Sequence, residues 1–95
     1  MGNYFLIEND DGYCLSEDEN KEEAVFISVQ WMIEEQMGNK QAFDWHHVEG
    51  GFDLHVREMT DKGDILTSEI IAIDWEKEPF SDARWTVRLL KNKAA

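Results

Sequence analysis

Residues 43–57 read Phe-Asp-Trp-His-His-Val-Glu-Gly-Gly-Phe-Asp-Leu-His-Val-Arg, and the path of this stretch decides the architecture of the chain. Two alternating runs flank Gly50-Gly51, and a two-residue Gly-Gly loop between such runs predicts a tight β-hairpin. In that register Glu49 faces Phe52, His47 faces Leu54, His46 faces His55, Trp45 faces Val56 and Asp44 faces Arg57. One face carries Trp45, Phe52, Leu54 and Val56, with His47 at its edge. The other carries Asp44, His46, Asp53, His55 and Arg57, with Asp44 and Arg57 paired across the ladder.

Upstream, Glu19 to Met37 has helical periodicity. Val25, Val29, Met32, Ile33 and Met37 recur at three- and four-residue spacing, and Phe26, Ile27 and Trp31 are expected to widen the apolar face. Ser16 with Glu19 fits a capping box, Asp18 is a rival N-cap, and Gly38-Asn39 closes the helix. Before it, Tyr4–Glu8 reads as a strand, Asn9-Asp10-Asp11-Gly12 as a turn, and Tyr13-Cys14-Leu15 as the returning arm.

Downstream, Asp61-Lys62-Gly63-Asp64 is a turn, and Ile65–Trp75 a long strand whose centre, residues 70–73, is buried on both faces. Pro79 breaks the chain, Trp85–Leu90 is a last strand, and residues 91–95 are a frayed basic tail. The expected order is β-β-α-β-β-β-β. This is an α+β class: one antiparallel sheet of four to six strands against one main helix, in a single domain spanning residues 1–95.

The chain has 95 residues, 42% hydrophobic and 32% charged, so a packed core rather than disorder is expected. Its charge is unusual: 21 acids against 9 Lys and Arg, for a net charge of −12. That disfavours nucleic acid and anionic membranes as direct partners. The start of the chain carries neither a basic segment nor an apolar run of the kind a signal peptide needs. There is one cysteine, Cys14, and a reduced, cytoplasmic protein is expected.

The acids are concentrated. Residues 1–50 hold 12 acids and 2 bases, whereas residues 51–95 hold 9 and 7. Between positions 8 and 23, Glu8, Asp10, Asp11, Glu17, Asp18, Glu19, Glu22 and Glu23 are offset only by Lys21. Read as helix, positions 17–23 would span roughly 10 Å, in which duplex DNA places about six charges. These eight acids are the expected partner-binding rim, and Trp75, flanked by Asp74 and Glu76, is its expected aromatic anchor. Acids at a helix start also complement its dipole and aid solubility, which accounts for several of them but not for Glu8, Asp10 and Asp11.

His46, Asp53 and His55 share one face of the expected hairpin and are an alternative metal set, for zinc. The Asn9–Gly12 loop fails as an EF-hand, because Ile7 and Asp18 stand where carboxylates and a Glu are required. Cys14 lies among acids that weaken a thiolate, so an inert, buried or half-buried thiol is expected. No nucleophile elbow, phosphate-binding glycine loop or zincin motif is present, so neither catalysis nor a cofactor is expected.

Asp10-Asp11-Gly12-Tyr13, followed by a helix opening Glu22-Glu23-Ala24, resembles the start of the HicB antitoxin family over at most the first 35 residues. That family usually places a further strand before its helix, which this sequence lacks. The resemblance agrees with an inhibitor-like role. The expected function is a non-enzymatic acidic module that docks on a basic protein, for instance a nucleic-acid-processing enzyme, by mimicking nucleic acid. The expected form is an inhibitor, for instance of the phage anti-defence type or an antitoxin or immunity protein. The alternatives are a histidine-based metal or sensing domain, and a homodimer formed through an exposed Ile65–Trp75 edge.

Overall fold

The computed structural model describes residues 2–38, 47–77 and 86–94. Its elements are β1 (Tyr4–Glu8), β2 (Cys14–Asp18), α1 (Lys21–Met37), β3 (Val48–Met59), β4 (Ile65–Lys77) and β5 (Thr86–Ala94). The strands form one antiparallel sheet in the order β2-β1-β3-β4-β5, so the class is α+β. Helix α1 covers one face. Among the described residues no helix covers the other.

Gly50-Gly51 is not a turn. Both glycines lie within the 12-residue β3, whose full length pairs with β4: Val48 opposite Lys77, Glu49 opposite Glu76, Gly50 opposite Trp75, Leu54 opposite Ile71. The other edge of β3 pairs with β1, placing Ile7 opposite Val56 and Glu8 opposite His55. With both edges occupied, none of the expected 43–57 hairpin pairings can form. Residues 43–46 lie outside the described residues. Among the described residues the order is therefore β-β-α-β-β-β, one strand fewer than expected.

The physical reason is a tryptophan. A Cβ at Gly50 would lie 2.7 Å from Nε1 and 2.9 Å from Cε2 of Trp75, and 2.6 Å from Oε1 of Gln36. Glycine is present because the Trp75 indole lies against the β3 backbone. The indole N–H donates to Gln36 Oε1 at 2.7 Å, and Gln36 Nε2 donates to the Gly51 carbonyl at 2.8 Å. This links α1, β3 and β4 at a half-buried polar site, where an unmade hydrogen bond would be costly.

Asn20 is the N-cap of α1: its side chain accepts from the Glu23 N–H at 3.0 Å. Neither Ser16 nor Asp18 caps the helix, because both belong to β2, although Asp18 Oδ1 steadies the entry by accepting from the Asn20 N–H at 2.7 Å. Ser16 instead docks β2 on the helix. Its hydroxyl donates to the Ala24 carbonyl at 2.8 Å and lies 2.8 Å from the hydroxyl of Ser28, which is 0% exposed. With one proton on Ser16 already committed, Ser28 is the donor between them.

The core joins Ala24, Val29, Ile33 and Met37 of α1 to Ile7, Val48, Leu54, Val56, Ile71, Ile73 and Trp75 of the sheet. Phe26, Ile27 and Trp31 do not widen it. They stand on the outer face of α1, exposed by 55%, 42% and 53%. Strand β4 is interior, between β3 and β5, so it is not the edge that the homodimer expectation needed. Residues 91–94 continue β5 and pair with β4 rather than fraying. Pro79 and Trp85 lie outside the described residues. No helix among those described is long and apolar enough to cross a membrane.

Candidate functional site

The acids of the expected rim follow the course of β2, an outer strand of the sheet. Asp10 and Asp11 sit in the turn before it. There the Asn9 side chain accepts from the Asp11 and Tyr13 N–H groups at 3.0 and 2.9 Å, and Gly12 adopts φ 87°, a value other residues resist. Glu17 and Asp18 are on the strand, Glu19 follows it, and Glu22 and Glu23 open α1. At roughly 3.4 Å per residue β2 alone is about 14 Å long. The acids therefore form a stripe along an outer strand and into a helix start, instead of the roughly 10 Å of continuous helix expected for 17–23.

The sheet draws two of the eight away. Glu8 forms an ion pair with Arg57, and Asp10 meets His55, with Nε2 to Oδ1 at 2.6 Å. Lys21, the one cation of the segment, pairs with Glu69 of β4 and so does not neutralise its acidic neighbours. Asp11, Glu17, Asp18, Glu19, Glu22 and Glu23 form no ion pair among the described residues.

Trp75 cannot be the aromatic anchor: it is 2% exposed, under α1. Among the described residues, the outward tryptophan is Trp31. At about 100° per residue, Glu23, Ile27, Trp31 and Glu34 follow one another down the outer side of α1, with Phe26 and Glu22 alongside. The signal was in the sequence, since Ile27 and Trp31 share their stripe with glutamates. Tyr13, 71% exposed at the head of β2, adds an aromatic next to Asp11.

Cys14 is exposed rather than buried or half-buried. Its thiol pKa is nevertheless raised. Local desolvation is the largest cause, followed by the nearby Glu17 and Glu8 carboxylates. Sγ lies 3.9 Å from Glu17 Oε1, close enough to hydrogen-bond the protonated thiol. The thiolate is thus disfavoured at neutral pH, which argues against a nucleophilic role.

The expected zinc set, His46, Asp53 and His55, is described only in part. His46 lies outside the described residues, and His55 is engaged by Asp10, though Asp53 and His55 do share the helix-free face of β3. Among the described residues, the ligand atoms that approach one another belong to His47, Glu49 and Glu76, all within 4.8 Å. They stand at the far end of the β3–β4 ladder, beside a cavity lined by Glu49, Gly50, Asp74, Trp75 and Glu76. Comparison with protein-family models, curated proteins and solved structures returns no match, so the antitoxin resemblance carries no family assignment.

Proposed function

We propose that this chain is a non-catalytic acidic binding module whose partner is a basic protein surface of the kind that handles nucleic acid. The observation that carries the reading is the stripe of six acids, Asp11 through Glu23, left without ion pairs among the described residues along β2 and the start of α1 while Lys21 is held by Glu69. Clustered like charges repel, and a cationic partner relieves that repulsion while speeding encounter within a Debye length of about 8 Å. Next to the stripe, Phe26, Ile27 and Trp31 offer apolar contact area, and Trp is the residue type most enriched among binding hot spots. An inhibitor that occupies a phosphate-binding groove is the most concrete form of this function.

The acids on β2 also discourage edge-to-edge pairing between copies, which weighs against a homodimer through that strand. The test is direct binding to a panel of purified basic nucleic-acid-binding proteins across a salt series. A true partner loses affinity as salt rises and is displaced by duplex DNA. Changing Asp11, Glu19, Glu22 and Glu23 together to Lys should abolish binding and leave the circular dichroism spectrum unaltered. Trp31→Ala should weaken binding roughly 30-fold, the equivalent of about 2 kcal/mol at a central aromatic. Affinity indifferent to salt and to charge reversal would dispose of the proposal.

A further inference from the structure

We propose that His47, Glu49 and Glu76 form a binding site for a first-row divalent metal ion, with Zn2+ the best fit. This inference is independent of the binding-module reading, because none of its three ligands belongs to the acidic stripe of β2 and the start of α1.

The backbone dictates the meeting. Glu49 of β3 and Glu76 of β4 are direct cross-strand partners, so their carboxylates project from the same face at adjacent positions. Like charges directly opposite on a ladder destabilise it, and nothing in the packing of β3 against β4 requires two glutamates there. Asp74, two residues from Glu76 along β4, lines the same cavity as both, making a third carboxylate. His47, immediately before β3, brings its ring over this group, with Nε2 3.2 Å from Glu76 Oε2. Register places two cations of the described residues near this end. Arg88 of β5 stands opposite Asp74, and Lys77 stands opposite Val48, on the alternate face. Neither is the register partner of Glu49 or Glu76.

The spacing suits an ion. Ligand atoms each about 2.1 Å from a tetrahedral metal lie roughly 3.4 Å from one another. The His47–Glu76 separation of 3.2 Å is close to that value, and the 4.8 Å limit on the whole set closes by rotation of exposed or half-exposed side chains. Gly50 and Gly51, which follow Glu49, add no side chains to the cavity beside it. One imidazole with carboxylate oxygens selects for zinc and its first-row neighbours over Ca2+ or Mg2+, which take oxygen ligands alone. Three protein ligands leave a position for water, or for a donor brought by another molecule.

The experiment is calorimetric titration of the chelator-treated protein with Zn2+ at neutral pH, with Co2+ absorption as a second probe. One ion per chain should bind with micromolar or tighter affinity. Loss of a residue that merely hydrogen-bonds a metal ligand weakens metal sites about 10- to 100-fold, so His47→Ala and Glu76→Gln should each weaken binding at least tenfold. His55→Ala should change nothing. In the unaltered protein, Co2+ should shift the ring resonances of His47 and leave those of His55 in place, a measurement that survives if a variant fails to fold. Absence of heat and of a Co2+ ligand-field band would overturn the site. So would binding that persists in His47→Ala, or that disappears in His55→Ala.

Discussion

Replacing Gly50 by Asn separates the two ways of folding residues 43–57, because they predict opposite signs. In a Gly-Gly hairpin turn the change creates Asn-Gly, a favoured type I′ pair, and stability holds or rises. In the observed strand the new Cβ meets Gln36 Oε1 at 2.6 Å and Trp75 Nε1 and Cε2 at 2.7 and 2.9 Å. Trp75 is buried, so its ring can yield only by moving against Gln36 and the core. Overpacking of this kind costs about 1–3 kcal/mol, and loss of the indole-to-Gln36 hydrogen bond about 1 kcal/mol more. Relief of glycine's unfolded-state entropy returns roughly 0.5–1 kcal/mol. The net expectation is a destabilisation of about 1–3 kcal/mol. Urea unfolding followed by circular dichroism reads it directly: at a slope of about 1 kcal/mol per M, the midpoint falls by about 1–3 M. The cause is checked in a Trp75→Phe background, which lacks both offending indole atoms. There the penalty should shrink by more than about 0.5 kcal/mol, beyond ordinary additivity error. A Gly50→Asn variant with the parental midpoint would refute the account of β3 and, with it, the reason given for the glycine.

Two further outcomes follow from local chemistry. Ser16→Ala removes the acceptor of the fully buried Ser28 hydroxyl and should cost about 1–3 kcal/mol, whereas the Ser16→Ala/Ser28→Ala pair should cost less than the sum of the two single changes. Urea midpoints of the four proteins of the cycle decide it, and strict additivity would count against the pairing. The Cys14 thiol, its pKa raised by desolvation and by Glu17 and Glu8, should alkylate slowly at mildly alkaline pH. Glu17→Gln takes away a negative charge, lowers that pKa and should speed iodoacetamide labelling at fixed pH, moving the rate profile to lower pH. An unchanged profile would show that Glu17 does not act on the thiol.

Turns, periodicity and charge were readable from the residues because they are local properties. Asn9–Gly12 folds back on itself through the Asn9 side chain, and Thr60–Asp64 closes through its own backbone with Thr60 Oγ1, whatever the rest of the chain does. Helix α1 follows from spacing, ending at Gly38, and the α+β class follows from one helix among alternating runs. The acidity of positions 8–23 is plain from composition.

What depended on distant partners was not readable. A Gly-Gly pair looks the same in a turn and beneath a tryptophan, and only Trp75 and Gln36, brought in by β4 and α1, make it part of a strand. Asp18 looks like a cap until β2 claims it and Asn20 takes the role. Glu8 and Asp10 look like free rim acids until β3 sets Arg57 and His55 beside them. His47 and Glu76, 29 positions apart, meet only because β3 and β4 pair along their whole length. The sequence by itself determined the class, the turns and the surplus of negative charge, each written in a few neighbouring residues. Tertiary structure alone decided which tryptophan faces out, which acids keep a cation and which ligands converge, because strand register is settled by contacts between segments far apart in the chain.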